Sequence, residues 1–359
     1  MNNEEERLEE RIIEQKNSIP FNYGLALLRM LMCFEVVLCH FWSGDVPVVL
    51  TPFKILEQAS VPVFFFLAFF FSAKIFYEND SIKIKKRFIR LLIPHIGWAF
   101  IYWFLFTIGE LIFSELNDIW GKVRISDLFW QLLTGHSSVV NASMWFQFDL
   151  IVITLLIVLI FRFCKDMFYR KIILVSLLFI SFVLQYTGIN IWLFGSLRYE
   201  LSNPLGRIFE MIPYAVLGFF CADYNVFDRL KIKRIVFIII FALCSVFFLM
   251  YTFIKPVEGF GYSRNNNLLV AFFLIGFAYL LPLERLPDKV CKFIRFITKH
   301  TLGIYCMHRL VALVIKYGLI KSGIDFDTFV LSITAYIVSF IISFIISKIP
   351  VKVIRQLVE

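Results

Sequence analysis

Ten long stretches rich in Leu, Ile, Val and Phe divide the chain, near 23–43, 55–77, 91–113, 148–163, 172–187, 208–222, 234–254, 268–283, 300–320 and 328–348. A helix of ~20 such residues crosses a bilayer. The fourth, fifth, sixth and eighth stretches are short and extend into their flanks. The runs are continuous rather than alternating, and an open sheet edge has no partners in lipid, so helices rather than strands are expected. Composition agrees: 60% of residues are apolar and 18% charged, against about 45–50% and about 25% in soluble domains. Phe alone occurs 44 times. A disordered chain, a nucleic-acid-binding domain and an ordinary cytosolic enzyme are ruled out. The expected fold is an all-α, polytopic membrane bundle of about ten transmembrane helices.

Lys and Arg set the orientation of such a bundle. With the N-terminus inside, the inner segments hold 25 of the 36 basic residues, and the outer loops hold eight: Lys54, Lys122, Arg124, Arg198, Arg207, Lys255, Arg264 and Lys321. Arg29, Arg309 and Lys316 fall within spans. Every internal inner loop is richer than every outer one, so both termini are expected inside. The expected organisation is a cytoplasmic N-terminal tail over 1–22, a membrane domain over 23–348 and a cytoplasmic C-terminal tail over 349–359. The tail MNNEEERLEERIIEQKNSIP is acidic and unlike a signal peptide, so the first span is expected to stay as an anchor. ISDLFWQLLTG, in the outer stretch 114–147, reads as an amphipathic surface helix. The seven cysteines form no Cys-x-x-Cys pair and no zinc spacing; they read as small buried thiols, and no metal is expected.

Charges at bilayer depth are costly, at least ~2.5–3.5 kcal/mol each on insertion scales, and so point to function. The first span carries Arg29, Glu35 and His40. Eleven helical steps separate Arg29 from His40, which is three turns plus ~20°, so the two share one face about 16 Å apart. A cation and a titratable base thus line one stripe, suited to a substrate that reaches across the membrane. Glu35 is turned ~140° from His40, so it is expected to pair on a neighbouring span. The plain alternatives are snorkelling for Arg29 and an interfacial histidine for His40.

Arg87 and Arg90, three apart in KIKKRFIRLLIPHIGW, share a face where the third span begins. Guanidinium forks suit phosphates; a positive-inside anchor is the alternative. Pro94 is expected to kink or start the span, and His95 to be a packed histidine. In KHTLGIYCMHRLVALVI, Tyr305 and His308 are neighbours, and Arg309 adds a third polar group, expected in the inner half of the membrane. GHSSVVNASMWFQFDL brings Asn141, Trp145 and Asp149 to the outer mouth of the fourth span. Interface belts of aromatic and basic residues are the alternatives for both groups.

Taken in order, these segments resemble the acyltransferase-3 family of bacterial membrane acyltransferases over nearly the full length. GLALLRMLMCFEVVLCHFW shows the family's Arg-x10-His signature at Arg29 and His40. SVPVFFFLAFFFSAKIF is similar to its Pro-x-Phe-Phe second span, and KKRFIRLLIPHIGW to its Arg-x-x-Arg element at Arg87 and Arg90. MWFQFDLI resembles its Trp-Phe entry to the fourth span at Trp145, and LGIYCMHRLV its Ile-Tyr-x-x-His element at Tyr305 and His308. The chain departs from the family at Ala26, where an acidic residue is common, and at Ala68 and Phe69, where the family carries Ser-Gly; Ser72 lies one turn later.

The resemblance implies transfer of an acyl group, usually acetyl, from cytoplasmic acyl-coenzyme A to a hydroxyl of a cell-surface glycan or lipid-linked sugar, in a bacterial cytoplasmic (inner) membrane. Acetyl-CoA is then the donor, and membrane lipids and the acceptor glycan are the partners, with no nucleic acid. Homo-oligomer formation is left open. His40, Arg29 and Glu35 are the expected catalytic residues, Arg87, Arg90, Tyr305 and His308 the donor site, and Trp145 and Asn141 the sugar site. A polysaccharide exporter or lipid-linked sugar flippase is the alternative, although no pair of related halves is visible.

Overall fold

The computed structural model describes residues 21–41, 56, 59–112, 122–136, 144–186, 204–254, 265–325 and 327–358; residues 1–20 of the N-terminal tail and Asn141 lie outside the described residues. The first span begins at a local signal. Asn22 Oδ1 accepts the Leu25 amide at 2.9 Å, satisfying one of the orphan donors at the start of α1 (Tyr23–Phe41). The second span is α2 (Ser60–Phe70) and α3 (Ala73–Glu78), ended by Asn79 in the left-handed region at φ 48°. Then come α4 (Ser81–Ile112), α5 (Ile125–Thr134), α6 (Trp145–Phe163), α7 (Met167–Tyr186) and α8 (Pro204–Asp223). A short α9 (Val226–Leu230) leads through a 3-10 turn into α10 (Arg234–Ile254). The chain continues through α11 (Asn265–Leu280), α12 (Asp288–Lys299), α13 (Thr301–Lys321) and α14 (Thr328–Ser347). Among the described residues, ten segments are long and apolar enough to cross a membrane, and no strand occurs.

The helix α1 is the hub, packing against α2, α11, α12, α13 and α14. The α2–α8 interface is extensive, and it is made at backbone distance: a Cβ on Gly218 would lie 2.2 Å from the Phe66 carbonyl oxygen. The flanking helices α7 and α10 turn apolar side chains outwards, Phe168, Val175 and Phe179 from one and Ile235, Ile239, Leu243 and Phe247 from the other. Water does not tolerate such faces, and lipid does.

Three local features decide where polar groups stand. Pro94 lies inside α4, which runs without a break from the basic KIKKRFIR stretch into the span, so it does not start the helix. At ~1.5 Å per residue its 32 residues measure about 48 Å, longer than a hydrocarbon core of ~30 Å. α5 is the expected amphipathic helix. Leu128, Gln131 and Thr134 face the protein, while Ile125, Phe129, Trp130 and Leu133 are exposed.

The third feature is α12, which continues from a stretch that reads in the sequence only as basic loop. It buries Cys291, Ile294 and Thr298 and leaves Lys289, Lys292 and Arg295 exposed. Thr298 Oγ1 lies 3.3 Å from the Ala26 carbonyl oxygen, and Arg295 stacks on Phe21 and donates to Tyr23 Oη at 3.1 Å. α12 therefore carries the chain along the start of α1 before α13 begins.

Candidate active site

The start of α13 is fixed by Cys33, whose Sγ lies 3.5 Å from the Thr301 carbonyl oxygen. Seven residues further along both helices, His40 and His308 stack with ring centroids 5.2 Å apart and planes 27° apart. The two contacts advance together, so α1 and α13 run parallel in direction. Tyr305, His308 and Arg309 accordingly stand level with His40, near the end of α1.

His308 is fully buried and His40 is exposed, so the stacked pair lies at the edge of the packed interior. His308 Nδ1 lies 2.6 Å from the Tyr305 carbonyl oxygen and 3.2 Å from that of Ile304. Both neighbours are acceptors, so Nδ1 carries the proton and Nε2 keeps its lone pair. Arg309 is within electrostatic reach of His40, His308, Tyr102, Tyr305 and Cys39. The site therefore joins two imidazoles, a guanidinium and two phenols in a mostly apolar setting.

The start of α6 packs directly on this turn. Phe146 lies 5.4 Å from the Tyr305 ring, and Gln147 Nε2 donates to Cys306 Sγ at 3.4 Å. One turn away is a buried ion pair: Arg207 Nη2 lies 3.1 Å from Asp149 Oδ1, with side chains 6% and 0% exposed. Arg207 also donates from Nε to Asp149 Oδ2 at 3.2 Å and from Nη2 to the Thr134 carbonyl, which ties α8 to α5 and α6. Its guanidinium stands over the Trp145 ring, 5.7 Å from the centroid. Trp145 is 5% exposed, and with that guanidinium over its ring it offers little surface to a sugar. His136, just past α5, is in electrostatic reach of both Arg207 and Arg309; burial first, and then these two cations, hold its pKa below the ordinary imidazole value.

At the other end of the stripe, Arg29 is half-buried and within electrostatic reach of Arg90, which is exposed. Arg87 takes another direction. It donates to Ser72 Oγ and, at 3.3 Å, to Thr154 Oγ1, and its guanidinium lies 5.3 Å and 5.5 Å from the Phe69 and Phe76 rings. Arg87 thus clamps α2, α3, α4 and α6 together, and Ser72 supplies the hydroxyl that does it. Glu35 is 2% exposed, enclosed within the bundle. His95 is a packed histidine, donating from Nε2 to the Leu132 carbonyl at 3.1 Å.

Five of the expected residues are thus gathered in two groups, His40 with Tyr305 and His308, and Arg29 with Arg90. Trp145 borders the first group, Arg87 binds α2, α3, α4 and α6 together, and Glu35 is enclosed in the bundle. The Asp149–Arg207 pair and Tyr102 were not legible in the sequence. Arg207 stands just before an apolar run and reads there as an outer-loop charge, whereas α8 starts at Pro204 and takes it inside.

The profile described as Acyltransferase domain matches residues 22–348, nearly the whole chain. The chain belongs to the acyltransferase-3 family. No curated protein and no solved structure matches it. As an acyltransferase-3 member it is a membrane acyltransferase with an acyl donor and an acceptor substrate. Among its described residues no three His, Cys, Asp or Glu side chains converge as metal ligands do.

Proposed function

We propose that the protein is an O-acyltransferase of a bacterial inner membrane. It moves an acetyl group from cytoplasmic acetyl-CoA to a hydroxyl of a cell-surface glycan or lipid-linked sugar. The observation that carries this reading is the stacked His40–His308 pair with Arg309 beside it, on a chain of the acyltransferase-3 family. The ~16 Å between Arg29 and His40 divides their work, because one thioester carbonyl cannot touch both. Arg90 and Arg29 meet the phosphate end of the donor, and the thin, uncharged pantetheine arm runs along α1 to the histidines.

There the acceptor hydroxyl gives its proton to His40, and its oxygen adds to the thioester carbonyl. Arg309 faces the oxyanion that develops. The C–S bond then breaks, and the departing sulfur takes the proton back from the imidazolium and leaves as the thiol. An imidazole is suited to both transfers near neutral pH. Arg87 and Trp145 support this path from behind, through Ser72 and Thr154 on one side and Arg207 on the other.

The test uses purified protein in lipid with radiolabelled acetyl-CoA and the cell's own surface polysaccharide. Label on the glycan with matching thiol release is expected, and His40→Ala should abolish both while the protein still inserts and folds. Glycan movement across the membrane without label would establish the exporter instead.

A further inference from the structure

Tyr102 of α4 is fully buried, and its ring packs between Trp98 and Phe106 at 6.2 Å and 5.7 Å. Its hydroxyl makes two bonds to α13. It donates to the Cys306 carbonyl at 2.8 Å and accepts from the Leu310 amide at 3.1 Å. These two groups stand four residues apart, and an undisturbed α-helix pairs them with each other. They need no outside partner to be satisfied. A hydroxyl that donates to the one and accepts from the other pins this turn of α13 to α4. The bridged turn is the one that carries His308 and Arg309.

We propose that Tyr102 is a positioning residue: it pins this turn of α13 to α4 so that His308 stacks on His40 and Arg309 stands beside both. Three observations converge on it. The hydroxyl touches only backbone in α13, so its effect is on helix geometry. His308 Nδ1 is bonded to the carbonyls of Ile304 and Tyr305, so its ring direction follows the same turn. Arg309 lies within electrostatic reach of the Tyr102 phenol. Loss of the hydroxyl leaves the Cys306 and Leu310 backbone groups to each other and releases this turn from α4. His308 and Arg309 then rotate away from His40 while the helix, the packing and the fold remain.

The inference rests on the acyl-transfer reading, and the experiment separates the two. Tyr102→Phe keeps the ring and removes only the bridge. In purified protein it is expected to lower kcat for acetyl transfer by tenfold or more, to leave KM for acetyl-CoA and the thermal midpoint nearly unchanged, and to alter the pH profile of kcat. 4-Aminophenylalanine at position 102, whose amine both donates and accepts, is expected to restore most of the rate. An active parent whose Tyr102→Phe variant keeps its kcat and pH profile overturns the positioning role and leaves the acyltransferase reading standing. The positioning role is equally overturned if the phenylalanine variant fails to fold and the amine variant folds without recovering activity. A parent with no transfer at all overturns the function itself.

Discussion

At the scale of single residues, the Asp149–Arg207 pair carries the largest electrostatic stake. Both side chains are almost wholly out of solvent, and removing one member strands the other. Breaking such a pair costs on the order of 3–5 kcal/mol, whereas replacing both members with apolar groups of similar size is often close to neutral. Asp149→Ala is therefore expected to lower the thermal midpoint in detergent sharply, and Asp149→Leu combined with Arg207→Met to recover much of the loss. A double variant no better than the single one would mean that the Thr134 and Trp145 contacts of Arg207 matter more than its charge partner. Single residues are also where the sequence was most and least informative. Arg29 and His40 stood out because each is a lone costly group in an apolar run. Asp149 was visible but not its partner, because a pair separated by 58 positions is created only by tertiary packing.

Among the helices, the contact of α2 with α8 depends on the absence of a side chain. Gly218 lets the two backbones meet at Phe66, and a methyl group there would strike a carbonyl rather than a flexible side chain. Gly218→Ala is expected to cost about 1–3 kcal/mol by overpacking, seen as a lower thermal midpoint with no change in the family's site residues. A stability equal to the parent would show that α8 can shift outward into lipid at no cost. The spans themselves were legible because each is a continuous apolar run of nearly the right length. α12 was not. Its amphipathic pattern lies among basic residues that read as a loop, and only its burial reveals that it packs along the start of α1.

For the whole molecule, the helical bundle followed from composition and periodicity, whereas the way it faces rests on the bias of Lys and Arg. That orientation has a direct test. A cysteine placed at Lys85, at the basic end of α4, is expected to react with an impermeant maleimide only after the inner side is opened, and one at Lys122 without such treatment; the reverse pattern would invert the bundle. The native thiols are free and buried or half-buried, so they add little background. α4 connects the two halves of the site in such a bundle. It holds Arg90 near Arg29 and, twelve residues on, Tyr102 against α13, a rise of about 18 Å along one unbroken helix. On the proposed donor path, the distance between anchoring the donor and presenting its reactive end is spanned by this one helix, and α4 would then set the length of carrier that fits.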